Sequence, residues 1–327
     1  MLIKSLITVL LFLNPFSFLL GQPIPLMAED NVFTEEKTQL NKWDQSLFSA
    51  LWFANPNFLP IRDWNIIDPE IEAKAASIFM LNSTNPFIVE RVEFFEGNKR
   101  NVLYQKNINQ VLPIASLTKL MTALIVLENI DLEEIVVVSE EAIATYGDIG
   151  GLMVKEEISV KNLLHALLME SSNDAATALA EAVQQKTGKN FVDLMNQKAE
   201  KLRLKNTNFI DSSGYDSGNV STIEDIAQLV EYSFSQSIIW EIMRTPAIDL
   251  SSSDGKINHH WVNTDELLNR LPNIIGGKTG YTEEAQGCLV LVIENNNKYL
   301  ITIVLGAQER FLQTERLINW VQKAYRW

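Results

Sequence analysis

A helix that is apolar on every side has to be built into a core, and this chain has one with a lysine at its head. Leu117, Leu120, Met121, Ala123, Leu124, Ile125, Val126 and Leu127 leave almost no polar face between Leu117 and Leu127. The segment is therefore expected to run through the middle of the fold. Ser116 stands where an N-cap belongs, and the chain enters through Pro113. Three residues on, where a capping box carries Glu or Gln, stands Lys119. A cation at the positive end of a buried helix is a local conflict, and such conflicts gather at functional sites. Positions i and i+3 share a helix face, so Ser116 and Lys119 can meet. Burial and the helix dipole both disfavour the charged amine, and a neutral lysine is a base able to activate a serine. An N-cap serine beside a lysine snorkelling to solvent would leave the same letters, so this stretch alone leaves both readings open.

The bulk numbers set wide bounds. A chain of 327 residues, 46% apolar and 21% charged, has room for one large domain, or one and a half, with ample core. A formal charge of -14 with nothing like a basic patch excludes nucleic acid as the main partner. A small substrate is a separate matter, because a local pair of lysines can dominate a site in an acidic protein. Cys288 is the one cysteine, so no internal disulfide can form. With only His165, His259 and His260 beside it, no metal site is expected. Lys4 followed by the mostly apolar run Ser5–Leu20, broken at Asn14, Pro15 and Ser17, reads as a secretory signal or a retained membrane anchor over residues 1–21. The chain is thus expected to be exported, to the periplasm or cell envelope. Membrane association through that segment follows if it is retained. No cysteine follows Gly21, so a lipoprotein is not expected.

Residues 22–70 show no clear period but many aromatics, among them Trp43, Trp52 and Trp64, and are expected to form an N-terminal extension. Residues 71–327 then hold the main domain. Ala75–Leu81, Phe87–Phe95 and Asn101–Tyr104 are strand candidates ahead of the apolar helix. From Ser139 to about Ser235 the pattern is mostly helical. Ser159 is expected to cap one helix running through Met169, Asn173 or Asp174 a second through Gln185, Asn190 a third, and Ser221 a fourth in the box Ser221-Thr222-Ile223-Glu224. Gly188 stops the second. Strand signals return at Asn273–Lys278, Gly287–Ile293 and Tyr299–Leu305, the last two joined by Glu294–Lys298 as a hairpin connection. Glu309–Tyr325 is a closing helix with Phe311, Leu312, Leu317, Ile318 and Val321 inward. Strands at both ends and helices between predict an α+β fold: one antiparallel sheet flanked by helices, with an all-α lobe inserted at about 139–235.

Two further motifs decide between the readings of Ser116 and Lys119. Ser171-Ser172-Asn173 lies between two predicted helices, and Gly276-Gly277-Lys278-Thr279-Gly280-Tyr281 ends an apolar strand. Glycines at a strand edge also mark the close approach of another backbone, such as a peptide substrate. Ser116 and Ser171 are 55 positions apart, and Ser171 and Lys278 are 107 apart. Ser-x-x-Lys, Ser-x-Asn and Lys-Thr-Gly in this order resemble the serine penicillin-recognising enzymes of the β-lactamase/transpeptidase-like superfamily. The blocks Pro113–Ala123, Ser171–Ala176, Lys205–Phe209, Gly214–Asp216, Asn263-Thr264 with Leu267-Leu268, Lys278–Thr282 and Gly287–Val290 look like those of the low-molecular-weight D-alanyl-D-alanine carboxypeptidase/endopeptidase family. One departure is Ser172, where that family usually has Gly.

The resemblance implies the roles. Ser116 would attack the carbonyl of a D-Ala-D-X bond in a peptidoglycan stem peptide and form an acyl-enzyme, and Lys119 would take its proton. Ser171 would relay a proton to the leaving amine, and Asn173 would hold the substrate's amide. Lys278 and Thr279 would bind the terminal carboxylate, with Gly280 and Tyr281 completing the substrate strand. The N–H groups of Ser116 and Tyr281 would form an oxyanion hole. β-Lactam antibiotics would be covalent inhibitors, and no cofactor is implied. Two other readings share the fold: a serine β-lactamase, and a cell-envelope binding module without turnover. A class A β-lactamase would need its deacylating Glu in Glu-x-x-Leu-Asn. Asp265-Glu266-Leu267-Leu268-Asn269 fits that only with Asp first, and too close to Lys278.

Overall fold

Strand-forming runs from the two ends of the main domain meet in one sheet. The computed structural model describes residues 59–81, 100–147 and 150–327. The predicted leader, most of the extension and the strand candidate Phe87–Phe95 lie outside these residues. Strands β1 (Ala75–Met80) and β2 (Asn101–Lys106) come first, and a separate hairpin, β3 (Ala247–Ser251) with β4 (Asn258–Val262), comes late. After it come β5 (Ile274–Thr282), β6 (Gln286–Asn295) and β7 (Lys298–Ala307). The main sheet has the order β5-β6-β7-β1-β2, and every neighbouring pair is antiparallel. β5 is thus an edge strand, and it carries Lys278, Thr279 and Gly280. The turn between β6 and β7 is only Asn296-Asn297, with φ +50 and +58, tighter than the predicted connection. Two consecutive positive φ values fit a type I′ turn, which asparagine tolerates well.

The central strands β1, β6 and β7 are buried on both faces, which is why they read as continuous apolar runs rather than alternating ones. On one side Leu289, Leu291 and Ile293 pack with Ile318 and Val321 of the closing helix. On the other, Val290, Val292, Ile301 and Ile303 join the large core that holds the apolar helix. That helix, α1 (Lys119–Asn129), is buried from Lys119 to Val126. Each fully buried Leu or Met contributes roughly 1.5–3 kcal/mol relative to an exposed one. Around α1 stand α2 (Val160–Leu168), α3 (Asn173–Thr187), α4 (Phe191–Lys201) and α5 (Ile223–Ser233), and α6 (Ser237–Met243) packs on α2 and β5. The closing helix is α7 (Arg310–Ala324), with Leu317, Ile318 and Val321 buried. Leu312, predicted to face inward, is instead 42% exposed, and Phe311 is only partly buried.

Several local expectations are corrected. Ser116 is not an α-helical N-cap; it lies inside a 3₁₀ turn, Ala115–Thr118, that leads into α1. Ser172, not Asn173 or Asp174, caps α3, its hydroxyl accepting the Ala175 N–H at 2.9 Å. Thr222, not Ser221, caps α5. Ser221 is held in a short strand, Val220–Ser221, against Leu112–Pro113. The stretch 139–235 is less helical than predicted, because Glu157–Ser159 pairs with Ile135–Val137 and residues 202–219 form a loop. Residues 61–62, placed by the sequence in the extension, pair with Tyr325–Arg326. Arg62 lies over the rings of Trp320 and Tyr325, at 4.8 and 5.6 Å. Among the described residues no helix is long and apolar enough to cross a membrane.

Candidate active site

The turn that holds Ser116 is strained at its entry. Ala115 has φ +47, a left-handed conformation that costs an L-residue of order 1 kcal/mol or more and persists only where the surroundings enforce it. Here the enforcement is visible. Ile114 N–H donates to Asn219 O at 3.0 Å, and Gly214 packs so closely on Ala115 O that any side chain there would collide with it. Ser171 shows the same feature, φ +64, at the junction of α2 and α3. Both of the serines that the sequence nominates are therefore presented from left-handed turns or beside them.

Lys119 is completely buried. An isolated buried ammonium would be very costly, so the amine needs partners. Its Nζ lies 2.8 Å from Ser116 Oγ, 2.7 Å from Asn173 Oδ1 and 2.7 Å from the carbonyl oxygen of Ser213. The last two are acceptors only. A neutral amine can give them its two hydrogens and turn its lone pair to the Ser116 hydroxyl, which is the arrangement a base requires. Asn173 is held for this task by its other amide atom, since Nδ2 donates to Tyr146 O at 2.7 Å.

Lys278 is 1% exposed and donates to Ser171 Oγ at 2.9 Å and to Thr279 O at 3.0 Å. Thr279 Oγ1 is 2.6 Å from Thr264 Oγ1, and Thr264 is anchored in turn by its N–H on Met169 O. At Gly280 a β-carbon would stand 3.0 Å from Ser116 N, so the edge strand and the serine turn touch there. Tyr281 is 60% exposed beside them. A cleft of about 510 Å³ opens at Ser116, walled by Ser116, Asn173, Tyr215, Tyr281, Glu283 and Asp216 among others. The three motifs, far apart in sequence, thus meet: Ser116 and Asn173 line the cleft, while Lys278 and Gly280 join them through Ser171 and the serine turn.

Three participants were not singled out as site residues by the sequence reading. The Ser213 carbonyl is a backbone atom, and no letter announces it. Thr264 lay in a recognised block but without a role. Asp211 organises the loop that presents Ser213: its carboxylate accepts the N–H groups of Ser213, Gly214 and Asp216 and the Asn219 side chain. Burial alone would raise this carboxyl, but the hydrogen bonds outweigh it and hold it below the usual range. Ser172, the departure from the family pattern, caps α3 and also contacts the Asp174 carboxylate, which receives the Gly150 N–H at 2.9 Å.

Comparison with known proteins bears on this geometry. The family model for D-alanyl-D-alanine carboxypeptidase matches residues 92–309. A D-alanyl-D-alanine carboxypeptidase of Bacillus subtilis is 34% identical over 240 residues, covering 70% of this chain and 61% of the relative. A D-alanyl-D-alanine endopeptidase of Pseudomonas aeruginosa is 34% identical over 234 residues, covering 69% of this chain and 75% of the relative. The crystal structure of the Streptomyces K15 DD-transpeptidase superposes with a TM-score of 0.67 at 26% identity, over 79% of this chain and all of that one. With the penicillin-binding fold, the three motifs brought together and the family model over most of its length, the chain belongs to the D-alanyl-D-alanine carboxypeptidase family of serine peptidases.

Proposed function

We propose that the chain is an exported serine DD-peptidase that hydrolyses D-Ala-D-X bonds of peptidoglycan stem peptides through an acyl-enzyme on Ser116. The observation that carries this is the contact of Lys119 Nζ with Ser116 Oγ, made inside a core where two fixed carbonyl acceptors orient the amine. Lys119 takes the hydroxyl proton as Ser116 attacks the carbonyl carbon. The oxyanion is received between the Ser116 turn and the Tyr281 strand. Ser171, bonded to Lys278, returns a proton to the leaving amine. Lys278 and Thr279 hold the leaving residue's carboxylate, a fixed cation beside a hydroxyl. Water then releases the acyl group. β-Lactams acylate the same serine. Removal or opening of stem-peptide bonds acts on the wall that sets cell shape, and the apolar segment within residues 1–21 supports export with or without a retained anchor.

The test is direct. Incubation of the full chain with a peptide ending in D-Ala-D-Ala should release D-alanine, and intact-protein mass should rise by one ligand with penicillin. Ser116→Ala should abolish both. Labelling that survives the substitution removes Ser116 as nucleophile, and rapid turnover of penicillin without peptide hydrolysis points to a β-lactamase instead.

A further inference from the structure

A second buried charge stands behind the proposed carboxylate hold. Asp265 follows Thr264, the residue that touches Thr279, and is 2% exposed. Its Oδ1 accepts the Leu267 N–H at 3.0 Å, capping the 3₁₀ turn Glu266–Asn269. Its Oδ2 is fully buried and has no hydrogen-bond partner among the described residues. That oxygen lies against the backbone of Gly277, the residue before Lys278, so closely that a β-carbon there would collide with it. The charges that face the carboxyl are Lys278 from β5, Arg310 from the start of α7 and Glu266 from its own turn. Arg310 has a buried Nε that is likewise unpartnered among the described residues. A cap needs one oxygen, which an asparagine would also supply. A second, unbonded carboxylate oxygen, buried against the strand that carries the lysine of the site, is an expense that capping alone does not explain.

We propose that Asp265 sets the strength of the carboxylate hold. Ionised, it cancels part of the positive potential that Lys278 presents to the substrate; protonated, it lets that potential act in full. The inference rests on the assignment of Lys278 and Thr279 to the substrate carboxylate. Burial pushes the Asp265 carboxyl up to about 6, against the opposing pull of the Leu267 N–H, Lys278 and Arg310. The change of charge therefore falls between about pH 5 and 7, well above the usual aspartate range and well above the substrate's own carboxylate.

The experiment compares kcat/KM for a D-Ala-D-Ala peptide with that for the same peptide amidated, from pH 5 to 8. Taking the ratio removes the titration of groups that serve both substrates. In wild type the ratio should rise about 3- to 10-fold from pH 7.5 to pH 5.5, the change residing in KM, as expected for one charge acting across the strand through a partly screened medium. In Asp265→Asn the ratio should be high and flat. In Arg310→Gln, which removes a facing cation, the rise should begin at higher pH. Acylation by benzylpenicillin against its methyl ester gives a second ratio with the same expected profile. A flat wild-type ratio, or a rise that persists in Asp265→Asn, overturns the inference. If Asp265→Asn does not fold, the wild-type and Arg310→Gln profiles decide. Peptide hydrolysis with flat ratios refutes this inference alone. A pH-dependent penicillin ratio without peptide hydrolysis supports it while refuting the peptidase reading.

Discussion

At the scale of the residue, the proposed mechanism requires one amine to be satisfied in two protonation states. Around Lys119 Nζ two acceptors are carbonyl oxygens and the third is a hydroxyl, which can accept or donate. As an ammonium the lysine gives a hydrogen to each. As an amine it keeps the two carbonyls and receives the hydroxyl proton, so no buried polar group is stranded in either state. A guanidinium cannot do this, because it stays protonated and its donors are fixed in a plane. Lys119→Arg should therefore lower the rate of penicillin acylation by about 10²- to 10⁴-fold, the range for loss of a general base. A stopped-flow or gel-labelling time course would show it. Acylation near the wild-type rate would mean that the proton goes elsewhere.

At the scale of the element, the loop 211–219 acts as a clamp on the serine turn. It places the Ser212 carbonyl on Thr122 Oγ1 at 2.6 Å, the Ser213 carbonyl on Lys119, and Gly214 against Ala115. Asp211 gathers the loop from inside. Gly150 is tied down in the same way. Trp261 on β4 donates to Gly150 O at 2.9 Å, the Asp174 carboxylate at the head of α3 receives Gly150 N–H, and His259 stacks on Trp261. Gly214 is where the clamp is tightest, since its φ of +82 and its contact with Ala115 both exclude a side chain. Gly214→Ala should cost at least about 2 kcal/mol of stability from backbone strain and overpacking. Because the displaced neighbour is Ala115, acylation should fall further than the loss of folded protein explains. A denaturant midpoint and an acylation rate equal to wild type would show that the loop yields freely.

At the scale of the whole molecule, what could be read in the sequence was whatever lay in side-chain pattern. The apolar helix, the two-faced burial of the central sheet strands and the three motifs all leave letters at fixed spacings, and each has its place in the fold. What could not be read was settled by contacts between distant segments. Any of Ser171, Ser172, Asn173 and Asp174 could have capped α3; Ser172 does so, while Asn173 is taken by Lys119 and Tyr146, and Asp174 by Gly150. Ser221 loses the cap of α5 to Thr222 because pairing with Leu112 holds it in a strand. Leu312 looked inward by period alone, yet in the first turns of α7 the buried positions are taken by Gln313 and Thr314, and Leu312 is left in solvent. Charge works at this scale as well. The chain carries a formal -14, and Asp216, Glu283 and Glu284 stand on the cleft wall, while Lys119 and Lys278 are buried. An anionic peptide approaching the cleft therefore meets net repulsion at long range and attraction only on contact. Salt screens the first more than the second, since the Debye length falls from about 30 Å at 0.01 M to about 8 Å at 0.15 M and buried pairs are screened less. Raising ionic strength over that range should thus increase kcat/KM for the free-acid peptide about 2- to 3-fold relative to the amidated one, an effect of steering. A ratio that falls with salt would show that the buried lysines already attract from outside the cleft, and that the acidic wall does not govern approach.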